Sequence, residues 1–430
     1  MRFMPLKQSF SNFLHLMISS PYNVQRTWQI EQQCPQCGAP VILDETERLF
    51  LCGYCRTKLY LASAGPFRYY IPPPLPDRGI LFIPYWRLKG LAYRMADLEF
   101  QNRFVDTNIL ALDTAGPPTS LGLRPQAMKL RFVSAKTEGR FLATGRLPRE
   151  AASRFDTDGR PTHLTEQSYI GETVSIIYAP VYLEGNFLHD AILRKPLPDC
   201  GKEARNTLLT LPNAAPWQVR FVSTLCPHCG WDMEGERDAL VMTCRNCSSA
   251  WSCDEEEFRP VPFHYLKSPS EAFIYLPFWR LSARFEGVPM DSIADLIRLG
   301  NLPRVATPAL EAAPVHFWSP AFKVNPALFI RWARQMTVFQ PDETAMGNLP
   351  KVPAHPVTLP LCEAFETIPI TMASIAANKR MFLAGLPDVR IHPGESRLVY
   401  HPFVLRQNEL VHATMGLTVD RRALSFGGFL

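Results

Sequence analysis

The chain has 430 residues and a mass of 48.7 kDa, a length suited to two to four domains of about 150 residues rather than one core. With 47% hydrophobic and 20% charged residues it can bury sizeable cores and is too apolar for intrinsic disorder, while 40 prolines shorten helices and exclude a helical bundle. A formal charge of +5 over this length supplies no global field that would draw the chain to nucleic acid or anionic lipid.

In chain order, the first feature is an N-terminal segment over residues 1–27. Arg2 and Lys7 precede an apolar patch, but His15 interrupts it and no small-residue cleavage site follows, which disfavours a signal peptide. Phe10, Phe13, Leu14, Met17 and Ile18 fall at i, i+3, i+4, i+7 and i+8, the stripe of an amphipathic helix. No run reaches the 18 apolar residues of a membrane-spanning helix, so no membrane span is expected.

Eight of the 11 cysteines form a pattern. Cys34 and Cys37 are followed after 14 residues by Cys52 and Cys55, and Cys226 and Cys229 after 14 residues by Cys244 and Cys247. A CxxC pair brings two thiolates to one tight turn, where both reach a single ion at about 2.3 Å, and Gly38 and Gly230 ease the turn that follows. Four sulfurs complete a tetrahedron. Apolar runs at Arg48 to Leu51 and Ala239 to Thr243 read as strands returning to each second knuckle. Over residues 28–60 and 217–258 the chain resembles the zinc-ribbon superfamily. The resemblance implies two structural Zn2+ ions and a small β-fold, and implies no activity. Iron in a rubredoxin-like carrier is the alternative for four thiolates. Disulfides are disfavoured by the odd cysteine count and the absence of a secretory signal, which place reduced thiols in a cytoplasmic compartment. His228 and Cys253 are not needed as ligands, and Cys200 and Cys362 read as ordinary buried thiols.

After ribbon 1 comes a proline-rich spacer, Ile71 to Pro76, and then the run Leu81 to Leu88. That run parallels Ile274 to Leu281, with four identities in eight positions. Leu121, Leu123 and Pro125 echo Phe322, Val324 and Pro326, and Tyr178 to Leu183 echo Tyr400 to Leu405. Matches in the same order predict a tandem duplication: an α+β fold in which each copy is a ribbon followed by a β-rich mixed domain, at residues 77–200 and 268–430. The echoes at Tyr178 and Tyr400 read as β-hairpins. Helices are expected at Asp291 to Leu299 and Met372 to Leu383, with Pro326 to Met336 either helix or strand. The copies are expected to pack about a pseudo-two-fold axis through the aromatic strands or hairpins.

Trp86-Arg87 and Trp279-Arg280 are the repeated candidates for an interaction surface, since arginine forks onto carboxylates and tryptophan stacks. The competing reading is internal: an arginine in an apolar strand pairs with a buried carboxylate. His189-Asp190 looks like a metal-hydrolase dyad without supporting ligands. There is no GxxxxGK, GxGxxG or GxSxG element. Both ribbons are acidic, and Asp254 to Glu257 follow the second, which counts against a phosphate-tracking surface. The sequence therefore favours a non-enzymatic scaffold or adaptor for an unidentified protein partner. The alternatives are a nucleic-acid-associated factor using the basic stretch Arg140 to Arg160, and an enzyme with its site between the mixed domains.

Overall fold

The computed structural model describes residues 28–425 apart from 75–78, 97–98, 123–127, 149–163, 198–199, 255–256, 269–270, 344 and 347–348. The expected N-terminal helix, residues 149–160 of the basic stretch, and Leu123 and Pro125 lie outside the described residues.

The first ribbon is a hairpin of β1 (Gln29–Gln33) and β2 (Pro40–Asp44), followed by β3 (Leu49–Leu51) and β4 (Lys58–Ala62). Next comes an eight-stranded sheet. It contains β5 (Phe67–Tyr70), β6 (Leu81–Ala96), β7 (Glu99–Leu110), β8 (Arg131–Phe132), β9 (Arg140–Phe141), β10 (Leu164–Glu184), β11 (Phe187–Asp190) and β12 (Lys195–Pro196). Helix α1 (Lys202–Thr210) leads to β13 (Arg220–Ser223), which opens the second ribbon yet pairs antiparallel with β4 of the first. The second ribbon continues with β14 (Val241–Cys244), β15 (Ser249–Asp254) and β16 (Glu257–Pro260) as a three-stranded sheet.

The second half follows with β17 (Phe263–Leu266), β18 (Ile274–Glu286), β19 (Phe317–Pro320), β20 (Ala345–Met346), β21 (Arg390–Arg406), β22 (Glu409–His412) and β23 (Thr418–Asp420) in a seven-stranded sheet. Between β18 and β21 the chain forms α2 (Ile293–Gly300), α3 (Pro308–Ala312), α4 (Pro326–Phe339), α5 (Leu361–Glu366), α6 (Ile368–Ile375) and α7 (Lys379–Gly385), and α8 (Arg421–Ser425) ends the described chain. The architecture is α+β and rich in sheet.

The echoed segments occupy the same places in the two sheets. Strand β5 runs parallel to β10, as β17 does to β21, and β6 and β18 each run antiparallel to that long strand. Register agrees residue by residue: Pro84 faces Tyr178 as Pro277 faces Tyr400, and Trp86 faces Ile176 as Trp279 faces Leu398. The hairpins also agree, with Val181 facing Asp190 as Phe403 faces His412. Each long pairing carries a register shift just beyond the Trp-Arg-Leu segment, between Ile170 and Thr173 in one sheet and opposite Leu281 and Ala283 in the other. Such a bulge increases strand twist.

Besides the β4–β13 pairing, the halves meet at β6 beyond its echoed segment. Leu91 and Tyr93, toward the far end of β6, enter the second half's core, where the Tyr93 hydroxyl donates to the Pro326 carbonyl at 3.0 Å and its ring meets Phe329. Strands β6 and β10 continue past the echoed segments to Ala96 and Leu164, farther than β18 and β21, which stay paired to Glu286 and Arg390 with the helices inserted between them.

Helix ends follow side-chain chemistry that the sequence reading placed imperfectly. Helix α2 starts at Ile293, two residues after the expected Asp291, because Ser292 caps it in a reciprocal capping box with Asp295, and Asn301 closes it in a left-handed conformation. The expected helix Met372 to Leu383 is two helices. Ala376 leaves α6 with extended backbone, and the Asn378 side chain accepts the Met381 amide at 3.1 Å to start α7. Pro326 to Met336 is helical because Asn325 caps its first turn and proline occupies the first helical position.

Candidate metal centres

Each four-cysteine group is assembled from two strand ends. In the first, Cys34 follows β1 and Cys52 follows β3. The closest approaches are Cys34 Sγ to Cys55 Sγ at 3.7 Å and Cys37 Sγ to Cys52 Sγ at 3.7 Å. In the second they are 3.6 Å for Cys226 to Cys247 and 3.5 Å for Cys229 to Cys244. Within each group all four sulfurs lie within 4.8 Å of one another. A tetrahedron with metal–sulfur bonds of about 2.3 Å has edges of about 3.8 Å, whereas a disulfide needs about 2.05 Å. The spacing therefore suits two structural metal ions held by thiolates.

The knuckle backbone explains how the sulfurs converge. The Gly38 amide returns to the Cys34 carbonyl at 2.8 Å, the Arg56 amide to Cys52 at 2.9 Å and the Gly230 amide to Cys226 at 2.8 Å. The residue after every second cysteine is left-handed: Gly38 at φ 74°, Arg56 at 60°, Gly230 at 72° and Ser248 at 51°. Two of these four positions lack the glycine that takes this conformation without steric cost. Ser248→Gly is accordingly expected to stabilise the metal-loaded protein by about 0.5–1 kcal/mol, read as a raised urea midpoint at unchanged slope; a lowered midpoint refutes the strain assigned to Ser248.

The thiols differ in exposure. The first cysteine of each knuckle is buried, whereas Cys37, Cys55 and Cys229 are exposed and Cys247 is half-buried. Neighbours and burial tune them in both directions: the Ala39 amide favours the Cys37 thiolate, but hydrogen bonds with the neighbouring cysteines outweigh it and push Cys37 up to about 12, and burial pushes Cys244 up to about 12. The Thr57 hydroxyl, 3.1 Å from Cys55 Sγ, and the Thr57 backbone bring that thiol down to about 6. Burial opposes ionisation of Cys226, but the Cys229 amide and the Ser249 hydroxyl outweigh it and bring Cys226 to about 6 as well. Thiolate is the form a metal binds.

Neither ribbon stands alone. Trp28, Ile30, Cys34, Leu43, Phe50 and Cys52 share one core with strands β5, β6 and β10. Ribbon 1 also meets ribbon 2: the Arg48 and Leu49 amides both donate to the Arg237 carbonyl at 2.7 and 2.9 Å, and Lys58 Nζ donates to the Met233 carbonyl at 2.6 Å. Leu49 and Tyr60 pack with Met233, Met242 and Cys244 in a small common core. Arg237 pairs with the buried Glu47 at 2.9 Å, although burial still pushes that carboxyl up.

The Trp-Arg pairs lie inside the protein. Trp86 and Trp279 are buried and donate their indole N–H groups to the carbonyls of Arg146 and Leu359 at 2.8 and 2.9 Å. Arg87, 1% exposed, forks onto the equally buried Glu45 of ribbon 1, with Nε–Oε2 at 3.2 Å and a second bond at 3.0 Å. It also reaches Asp106 at 2.6 Å, and the Trp28 ring covers its guanidinium at 4.1 Å. Burial alone pulls Arg87 down, but the two carboxylates more than offset this and keep it charged. Arg280 meets Glu343 at 2.5 Å, and its guanidinium donates to His316, whose other nitrogen lies 3.1 Å from the Ser282 hydroxyl. Burial, with Arg280 beside it, lowers His316 to about 4. Both arginines brace the sheets through these ion pairs; Arg87 is buried, whereas Arg280 is half-buried.

The remaining candidates are also structural. Asp190 accepts the Ile192 and Leu193 amides at 2.8 and 2.9 Å, and His412 does the same for Thr414 and Met415 at 3.2 and 3.1 Å. An aspartate and a histidine thus cap the equivalent turn in the two halves. His228 is exposed and joins no ligand group, and Cys253 packs between the ribbons. Cys200 is buried, but Cys362, expected to be buried, is exposed near the start of α5. Among the described residues no helix is long and apolar enough to cross a membrane. Compared with known proteins, the chain matches no family model, no curated protein and no solved structure.

Proposed function

We propose that the chain is a zinc-stabilised, non-enzymatic scaffold of two duplicated halves that holds protein partners in the cytoplasm. The observation that carries this reading is the closure of both metal sites. Each ion would have four protein thiolates and no open position for water or substrate, so it serves architecture. Among the described residues, only these two cysteine groups bring three or more metal-ligating side chains together. The shared registers of the two sheets support the duplication, because unrelated strands would have no reason to agree residue by residue. Zinc rather than iron is favoured because a closed tetrahedron of four thiolates from two CxxC knuckles is the ordinary ligand set of structural zinc.

The acidic ribbons, the burial of Trp86, Arg87 and Trp279, and the engagement of Arg280 by Glu343 count against nucleic acid. The test is crosslinking of the intact chain in its native cells, followed by affinity purification with and without nuclease. Protein partners retained after nuclease digestion are the expected result. A partner set that vanishes with nuclease would replace this reading with a nucleic-acid one.

A further inference from the structure

The helical layer between β18 and β21 carries a groove of about 880 Å³. Its size lies within the range of ligand sites. Ile330 and Val338 of α4, Leu383 of α7 and Leu417 give it an apolar floor. Four cations surround that floor, Arg304, Arg331, Arg334 and Lys379, and among the described residues no carboxylate lines it. Arg331 donates to the Thr418 carbonyl at 3.1 Å, which fixes it along one wall. Arg304, Arg334 and Lys379 are exposed and form no ion pair among the described residues. Protein surfaces ordinarily intersperse both signs of charge. Four like charges around one apolar floor repel each other, and a ligand that brings negative charge relieves the repulsion.

We infer that this groove docks an acidic amphipathic helix of a protein partner, an assignment that rests on the scaffold reading and specifies the partner's chemistry. A helix that lays an apolar stripe into a groove can carry carboxylates along both flanks of that stripe. It would meet several of the four cations at once, whereas a ligand with a single carboxylate meets one. Phe339 adds an exposed aromatic edge to the groove, and the apolar surface continues beyond it at Met381, which is 72% exposed on α7 beside a second hollow of about 390 Å³. The chain's own N-terminal stretch is mismatched to the site: residues 1–27 contain no aspartate or glutamate, and they include Arg2, Lys7 and Arg26.

The test uses the full chain and a labelled synthetic helix of about 18 residues, roughly five turns, with leucines at i, i+3, i+4 and i+7 and glutamates on the flanks. Fluorescence anisotropy should show saturable binding that weakens with salt. A scrambled peptide of the same composition, and the double variant Arg334→Glu/Lys379→Glu, should each bind at least about tenfold more weakly. Both positions are exposed, and an unchanged thermal melt of the variant shows that its fold is intact. Equal binding of the scrambled peptide, or indifference to the double reversal, overturns the assignment. So does binding to phosphatidylglycerol vesicles that the reversals abolish while the peptide fails to bind. If the peptide fails and crosslinked partners persist in the variant, the groove assignment falls and the scaffold reading stands. If the peptide binds but the intact chain captures no protein in cells, the scaffold reading falls by itself.

Discussion

Replacing Glu45 by alanine is expected to destabilise the protein by about 3–5 kcal/mol. Glu45 is 2% exposed and takes both bonds of the Arg87 fork, and Lys89 Nζ lies 3.2 Å from the same carboxylate. Its removal leaves two buried cations facing one remaining acid, Asp106, which is itself half-exposed. Desolvation is the reason for the size of the effect. An ion pair near the surface is worth about 0–1 kcal/mol, but an orphaned charge in a core has no water to replace its partner. The damage should also travel, because Glu45 belongs to ribbon 1 and Arg87 to the first sheet. Urea unfolding of the metal-loaded protein measures it. The double variant Glu45→Ala/Arg87→Met should recover part of the loss by removing the stranded guanidinium along with its partner. A loss below about 1 kcal/mol for Glu45→Ala would show that Asp106 alone satisfies Arg87.

The contrast between Arg87 and the cysteines shows what a sequence makes legible here. A CxxC knuckle is local: two ligands sit on one turn, and the equal spacing of the two pairs reports a four-ligand site directly. All eight candidate ligands could be read in this way, and so could the aromatic strands, because the same eight-residue pattern recurs with four identities. The partner of Arg87 lies 42 residues away in another module. The sequence signalled only that an arginine in an apolar strand needs some buried carboxylate, and gave no means of choosing Glu45 over its neighbours. Strand β13 was hidden for a similar reason. Its pairing with β4 crosses from one ribbon to the other, and no local pattern encodes which edge a strand will join. The split between α6 and α7 was obscured because Ala376 and Ala377 are good helix formers; the break comes from the Asn378 cap.

Stripping the metal is expected to have the largest effect, and its reach follows from the packing. Purified protein should contain close to two equivalents of zinc by elemental analysis. One equivalent, or iron with visible absorption, would defeat the assignment. Each ion should contribute roughly 10–16 kcal/mol of apparent binding free energy at neutral pH, more than the roughly 5–15 kcal/mol by which a whole domain is ordinarily stable. A self-contained ribbon would lose only its own structure. Here Cys34 and Cys52 are buried in the core of the first sheet, and Cys244 lies in the core common to both ribbons. Cys52→Ser is therefore expected to loosen ribbon 1, the first sheet and the β4–β13 pairing together, and Cys244→Ser to unfold ribbon 2 and expose Leu49 and Tyr60 of ribbon 1. The helical layer and β21 of the second half depend least on either site, because their core includes only Val241 and Ala250 from the ribbons. Hydrogen exchange after chelation separates these regions. Protection should vanish across residues 28–62 and 220–260, fall in β5, β6 and β10, and persist in α4 and β21. Acid should act in the same direction, since each proton that returns to a thiolate competes with the metal. Loss of protection confined to the mutated ribbon would mean that the shared cores contribute little, and that each ribbon folds on its own.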